Sequence, residues 1–173
     1  MTPVVGLRVR AWRILGALML ALGLNAALVG AALAERPAYP GVADPIAFMR
    51  DRYAQYERGD AVPALALDGY ASTNLRLRLY AFDAAAGGEE LDSLDPWVDG
   101  VDWRIGPVAL ARLPGRTPAR QIIAARFRNH GRPVLLRFFW VRERGAWYLD
   151  EIVRPGRGAW TLTGRLAARP RHR

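Results

Sequence analysis

The sequence predicts an α+β domain, with N-terminal helices packed on a four-stranded antiparallel sheet. Three observations predict it. Between Asp44 and Phe82 the apolar residues recur at helical spacing. From Arg104 onward they alternate at strand spacing. Short turn signals separate the strand-like runs, so neighbouring strands run antiparallel in a meander.

Residues 35–43 read as a lead-in. Asp44-Pro45 then reads as an N-cap followed by proline at the first helical position. Ile46, Met49, Tyr53 and Tyr56 fall on one face of an amphipathic helix that Gly59 ends. This stripe is read as core-facing rather than as a cofactor box. Leu65 to Tyr70 is ambiguous and is read as a short helix. Ser72 caps a further helix through Phe82, with Leu75, Leu79 and Phe82 on one side. Ala84-Ala85-Ala86-Gly87-Gly88 closes it.

An acidic stretch follows, with Trp97 and Trp103 interleaved among Glu89, Glu90, Asp92, Asp95, Asp99 and Asp102. Arg104 to Leu113 is the first strand, and Gly106-Pro107 makes its start an edge. Pro114 to Pro118 is a turn, and Ala119 to Arg128 is the second strand. Asn129-His130-Gly131 is a hairpin turn, because Asn and Gly tolerate positive φ. Val134 to Glu143 is the third strand. It is apolar on both faces (Leu136, Phe138, Trp140; Leu135, Phe139, Val141), which suggests a central strand covered by helix on one side. Arg144-Gly145 turns again. Trp147 to Val153 is the last strand, with Trp147, Leu149 and Val153 on one face.

Composition excludes several chemistries. The chain of 173 residues has no Cys, and all 25 of its basic residues are Arg. Disulfides, thiolate nucleophiles, zinc-thiolate sites, iron–sulfur clusters and Lys Schiff bases are therefore out of reach. Two His cannot build a multi-histidine metal site, and no cofactor is expected. Carboxylates, Arg, Tyr and one or two His remain for acid–base work. Abundant Arg and Ala with no Lys also fit a GC-rich coding bias.

Charge is unevenly placed. Residues 1–34 carry Arg8, Arg10 and Arg13 and no acid. Residues 35–102 carry 13 acids against six Arg, and residues 103–173 carry 16 Arg against three acids. The first segment reads as an address. A positive start leads into Ile14 to Ala34, which has no charged residue and ends in Ala32-Leu33-Ala34. That pattern reads as a secretory signal peptide over residues 1–34, cleaved after Ala34. The rival is an inner-membrane anchor formed by residues 14–34, since about 20 apolar residues span a bilayer. Either way the rest is exported, to the periplasm in a Gram-negative cell. Residues 44–166 then form a single domain and residues 167–173 a basic tail.

Three strings carry a resemblance: Asp95-Pro96-Trp97-Val98-Asp99-Gly100-Val101-Asp102-Trp103, Phe127-Arg128-Asn129-His130-Gly131, and Arg144-Gly145-Ala146-Trp147-Tyr148-Leu149-Asp150-Glu151-Ile152. Together they resemble a bacterial domain-of-unknown-function family of exported proteins that includes YbjP-type lipoproteins. That family is similar to the nuclear transport factor 2-like superfamily. The resemblance implies a curved sheet that forms, with the helices, a cone around a pocket. It covers roughly Asp44 to Leu162. Lipoprotein relatives carry a lipidated Cys that this chain lacks, and Asp150-Glu151 stands where relatives often show paired aspartates. The family has no established catalytic residues to carry over.

Candidate residues follow. Asp92, Asp95, Asp99 and Asp102 are spaced as on one helical face and could hold Ca²⁺. Pro96 and Gly100 oppose a long helix there, so Asp95 reads more simply as a cap or turn residue and no metal site is expected. Asp102 and Asp150 are the candidate catalytic carboxylates, since an apolar cavity raises a carboxyl pKa toward neutrality. Trp103, Phe127 and Trp147, with Arg126, are the candidate pocket residues. Asp150 could instead face outward or pair with Arg126 or Arg137. His130 reads as an exposed turn residue.

Arg154, Arg157, Arg165, Arg169, Arg171 and Arg173 form a basic C-terminal segment with Trp160 and Leu162 interleaved. Export argues against a nucleic-acid partner. The segment is read either as a solvated tail or as a weak contact with the anionic envelope surface. The leading functional expectation is a non-catalytic envelope module, monomer or homodimer, that binds a small ligand or a protein. The alternatives are a pocket-carboxylate enzyme and a periplasmic immunity protein.

Overall fold

The computed structural model describes residues 39–60, 66–86, 95–115 and 117–168, all within one unit, Tyr39–Arg173. The apolar segment Ile14 to Ala34, Gly87-Gly88, the acids Glu89, Glu90 and Asp92, and residues 169–173 lie outside them. Among the described residues no helix is long and apolar enough to cross a membrane.

Helix α1, Pro45–Arg58, begins where its cap places it. Asp44 is extended, its carboxylate accepts from the Ile46 amide at 3.0 Å, and Pro45 occupies the first turn. Gly59 ends the helix at φ +78, a conformation that costs glycine little. Met49, Tyr53 and Tyr56 are buried and Ile46 is half-buried. A single 3-10 turn, Ala66–Gly69, occupies the ambiguous stretch. Helix α2, Thr73–Ala86, is capped by Ser72, whose Oγ accepts from the Leu75 amide at 3.0 Å. It continues past Phe82 through three alanines, the strongest helix formers.

The sheet is antiparallel and its strands follow sequence order: β1 Ala109–Arg112, β2 Arg120–Asn129, β3 Arg132–Glu143, β4 Ala146–Arg154 and β5 Trp160–Thr161. Five strands replace the expected four. The first is also shorter than Arg104 to Leu113. Pro107 has no amide to give the ladder, and the residues before it only cross the end of β2, where Ile105 bridges Asn129. Both hairpins turn on two residues with positive φ, His130-Gly131 (48° and 77°) and Arg144-Gly145 (50° and 87°). Asn129 is therefore the last ladder residue, opposite Arg132, rather than part of the turn.

Strand β4 departs from strict alternation. Leu149 pairs with Trp140 and Glu151 with Phe139, which leaves Asp150 as the extra residue of a bulge. The phase change puts Ile152 in the core in place of the expected Val153, while Leu149 stays in the core and Trp147 packs at its margin. Beside the bulge, the Leu149 amide and carbonyl bond to the Tyr70 carbonyl and Ser72 amide, both at 2.7 Å. The chain before α2 is thereby fastened to the sheet.

A second departure lies at the C-terminus. Thr161 Oγ1 caps a short helix α3, Leu162–Ala167, by accepting from the Gly164 amide at 3.0 Å. Leu162 and Leu166 enter the core. The Arg165 guanidinium stacks 4.4 Å over Trp160. Arg154 and Arg165 of the basic C-terminal segment are thus built into the domain.

The core lies between α1 and the inner face of β2 to β4. Trp97 stacks on Phe138 with centroids 4.7 Å apart, and Tyr53 meets Trp97 edge-on at 5.8 Å. Burying one such indole contributes roughly 4–6 kcal/mol by area. Trp97 thereby pins the loop that carries the candidate site.

Candidate functional site

That loop is a closed turn. The Asp95 amide donates to the Gly100 carbonyl at 2.8 Å, and the Asp95 carboxylate accepts from the Trp97 amide at 2.9 Å. Asp95 is buried, and the Tyr56 hydroxyl donates to its other oxygen at 2.5 Å. Burial and the Asp95 charge push the Tyr56 phenol far above its ordinary value. Burial, then Tyr56 and Asp95, raise Tyr53 as well, whose hydroxyl donates to the Trp97 carbonyl at 2.9 Å. Two neutral phenols of α1 therefore hold the loop from below.

Asn129 holds it from the side. It is buried at the end of β2, its Nδ2 donates to the Val98 carbonyl at 3.1 Å, and its Oδ1 accepts from the Arg104 amide at 2.9 Å. Gly100 must be glycine for this approach, since a Cβ there would meet the Asp102 carbonyl oxygen at 2.8 Å. Asp99, at φ +54, is turned toward the C-terminal segment. Its carboxylate accepts from Arg154 Nε at 2.7 Å and from Trp160 Nε1 at 2.8 Å.

These contacts shape a cleft of about 490 Å³ between the loop, the β2–β3 hairpin and the end of β4. The Asp99–Arg154 pair and Asn129 line it, together with Asp102, His130 and Arg132. His130 Nε2 lies 3.4 Å from Asp102 Oδ1, whose side chain is 86 % exposed. The Arg132 guanidinium makes no hydrogen bond or ion pair among the described residues and stands exposed. The cleft offers an unspent guanidinium beside an imidazole–carboxylate pair, which suits a small ligand with an anionic group and a donor.

The expected site residues are dispersed. Asp102 lies at the cleft, but none of Asp150, Trp103, Phe127, Arg126 or Trp147 lines it. Asp150 sits in the bulge level with Phe139 and Trp140, where the Ser72 hydroxyl donates to it at 2.6 Å. That level is seven strand residues from Arg132 at the cleft, roughly 20 Å at the usual rise. Its partner is thus Ser72, not Arg126 or Arg137. Phe127 packs on Tyr53 at 5.5 Å and Trp103 on Tyr56 at 5.3 Å, both within the aromatic layer. Arg126 neighbours Phe127 in one strand, so it points to the opposite sheet face. Trp147 lines a separate cleft of about 590 Å³ with Asp44, Arg112 and Arg142.

The acidic run likewise separates. No helix carries Asp95, Asp99 and Asp102; the first goes to Tyr56, the second to Arg154 and Trp160, the third to His130. No cluster of three metal-ligating side chains occurs among the described residues. Asn129, Arg132 and Arg154 were not singled out for the site by sequence reasoning, and Asp99 was weighed only as a Ca²⁺ ligand. Only the Asn at a strand end and the unusual Asp-Gly at 99–100 hinted at special backbone.

In comparisons with known proteins, no family model, no curated protein and no solved structure matches the chain. Fold and cleft define it as an α+β domain with an antiparallel meander and a polar cleft at one sheet end.

Proposed function

We propose that the chain is an exported, non-catalytic binding module of the cell envelope that takes an anionic small ligand or an acidic tip of a partner protein in the Asp102–His130–Arg132 cleft. The single observation that carries this reading is Arg132, an unpartnered guanidinium beside the His130–Asp102 pair. Binding is favoured over carboxylate catalysis because Asp102 is 86 % exposed and so lacks the desolvation a proton-transferring carboxyl needs. Asp150 is already engaged by Ser72. The helix-then-meander order and the bulged fourth strand support membership of the cone-fold group that the sequence resembles.

Export rests on the charge-free run before Ala34. It predicts that mass spectrometry of the protein recovered from the periplasm finds Glu35 at its N-terminus; an intact Met1 there overturns cleavage.

A thermal-shift panel of dicarboxylates, amino acids and acidic peptides on residues 35–173 tests the cleft. At least one probe stabilises the wild type and leaves R132Q unmoved. Equal stabilisation of both proteins places binding elsewhere and overturns the site.

A further inference from the structure

The outer face of β2 and β3 is a second surface that the cleft does not use. Register fixes its composition. Arg126 lies opposite Leu135, Arg137 opposite Ala124, and Ile122 opposite Phe139, all on the side away from Phe127 and Phe138. Arg120, Arg126, Arg128 and Arg137 are exposed on it. The guanidinium groups of Arg120, Arg126 and Arg137 have no hydrogen-bond or ion-pair partner among the described residues. Ile122, Leu135 and Phe139 are partly buried between them and belong neither to the core nor to its packed margin.

The acids of this face are spent. Glu143 accepts from the Thr73 amide at 3.2 Å and its Oγ1 at 2.8 Å, at the start of α2. Glu151 accepts from the Thr163 amide at 3.1 Å and from the Thr163 hydroxyl, at the start of α3. Each carboxylate meets the positive end of a helix, which leaves the arginines unbalanced.

We infer that this face docks on an anionic phospholipid bilayer, with the guanidinium groups at headgroup phosphates and the aliphatic side chains between them at the interface. Charge complementarity selects the occupant. A second copy on the same face would set arginine against arginine, with no free acid among the described residues of that face to answer. Single-stranded nucleic acid is held by aromatic stacking platforms, and here the apolar side chains between the arginines are chiefly aliphatic. An anionic bilayer supplies phosphates for the arginines and an apolar boundary for Ile122 and Leu135. The inference is independent of the cleft, and it moves the envelope contact from the C-terminal tail, where Arg154 and Arg165 are engaged, to the sheet.

The test is co-sedimentation of residues 35–173 with vesicles; every described core side chain and strand lies within this span. The expected result is binding to phosphatidylglycerol-containing vesicles, none to pure phosphatidylcholine, and release in about 1 M salt, where the screening length falls to about 3 Å. R126Q/R137Q lowers the partition coefficient about 30-fold, the value for two headgroup-level arginines. R50Q/R78Q, which removes two exposed helix charges, lowers it less than about threefold on the same scale. Circular dichroism confirms that both pairs fold. Equal losses in the two pairs, equal binding to neutral vesicles, or no binding by the wild type overturns the inference. So does a loss in R126Q/R137Q confined to a short DNA or to self-association.

Discussion

On one face of β2 and β3, Ile123, Phe127, Phe138 and Trp140 are at most 6 % exposed. On the other, Arg126, Arg128 and Arg137 stand in solvent around partly buried Ile122, Leu135 and Phe139. The same strands, residue by alternate residue, build a closed aromatic layer and an open cationic surface. The closed face gives the domain its stability without a disulfide, and it positions the loop that makes the cleft. The open face carries the exposed arginines instead.

The sharpest way to break this comparison uses neighbours. Phe138→Ala leaves a cavity under Trp97 and costs about 3–5 kcal/mol. Phe139→Ala, one residue away on the open face, costs less, about 1–2 kcal/mol. Urea unfolding measures both, and equal costs would mean that the outer face is packed after all.

The next effect lies where the core meets the cleft. Asp99→Ala strands Arg154 Nε and Trp160 Nε1 and puts alanine at positive φ. A loss of about 2–3 kcal/mol is expected. Loosening of α3, seen as faster amide exchange at Leu162 to Ala167, accompanies it. A loss with α3 unchanged would sever the proposed link between loop and C-terminus.

Alkaline pH probes the closed face from within. Burial pushes the Tyr70 phenol up to about 12, and Tyr53 and Tyr56 are raised as well. Below pH about 10 both folded and unfolded chains keep these phenols neutral, so stability is flat. Above it the unfolded chain loses protons that the folded chain retains, and stability falls. Each such phenol steepens the fall by about 1.4 kcal/mol per pH unit. Melting temperature against pH shows the break, and Tyr70→Phe makes the alkaline limb shallower.

The smallest effect belongs to the open face. R126Q/R137Q changes unfolding free energy by no more than about 0.5 kcal/mol, while its vesicle binding collapses. A large destabilisation would show that these arginines hold the fold rather than a partner.

Much of the architecture was readable in local chemistry. Asp44-Pro45 and Gly59 bound α1 as their capping preferences require. The Gly-ended turns at 130–131 and 144–145 fall at both ends of β3, whose apolar residues on two faces mark a central strand. The candidate site was less legible. Asp102 lies at the cleft, but its companions were chosen for residue type, and Arg126 beside Phe127 shows that type without strand phase misplaces a side chain.

The physical division is one of range. Caps, positive-φ turns and alternation act within a few residues, so composition and order determined α1, α2 and the hairpins. Tertiary structure decided the bulge at Asp150, whose partner Ser72 is 78 residues away, and the Asp99–Trp160 bond, which spans 61. It also decided that residues 160–167 fold back as β5 and α3. Those choices depend on which distant groups need a partner once the aromatic core has closed, and on which sheet face that closure leaves in water.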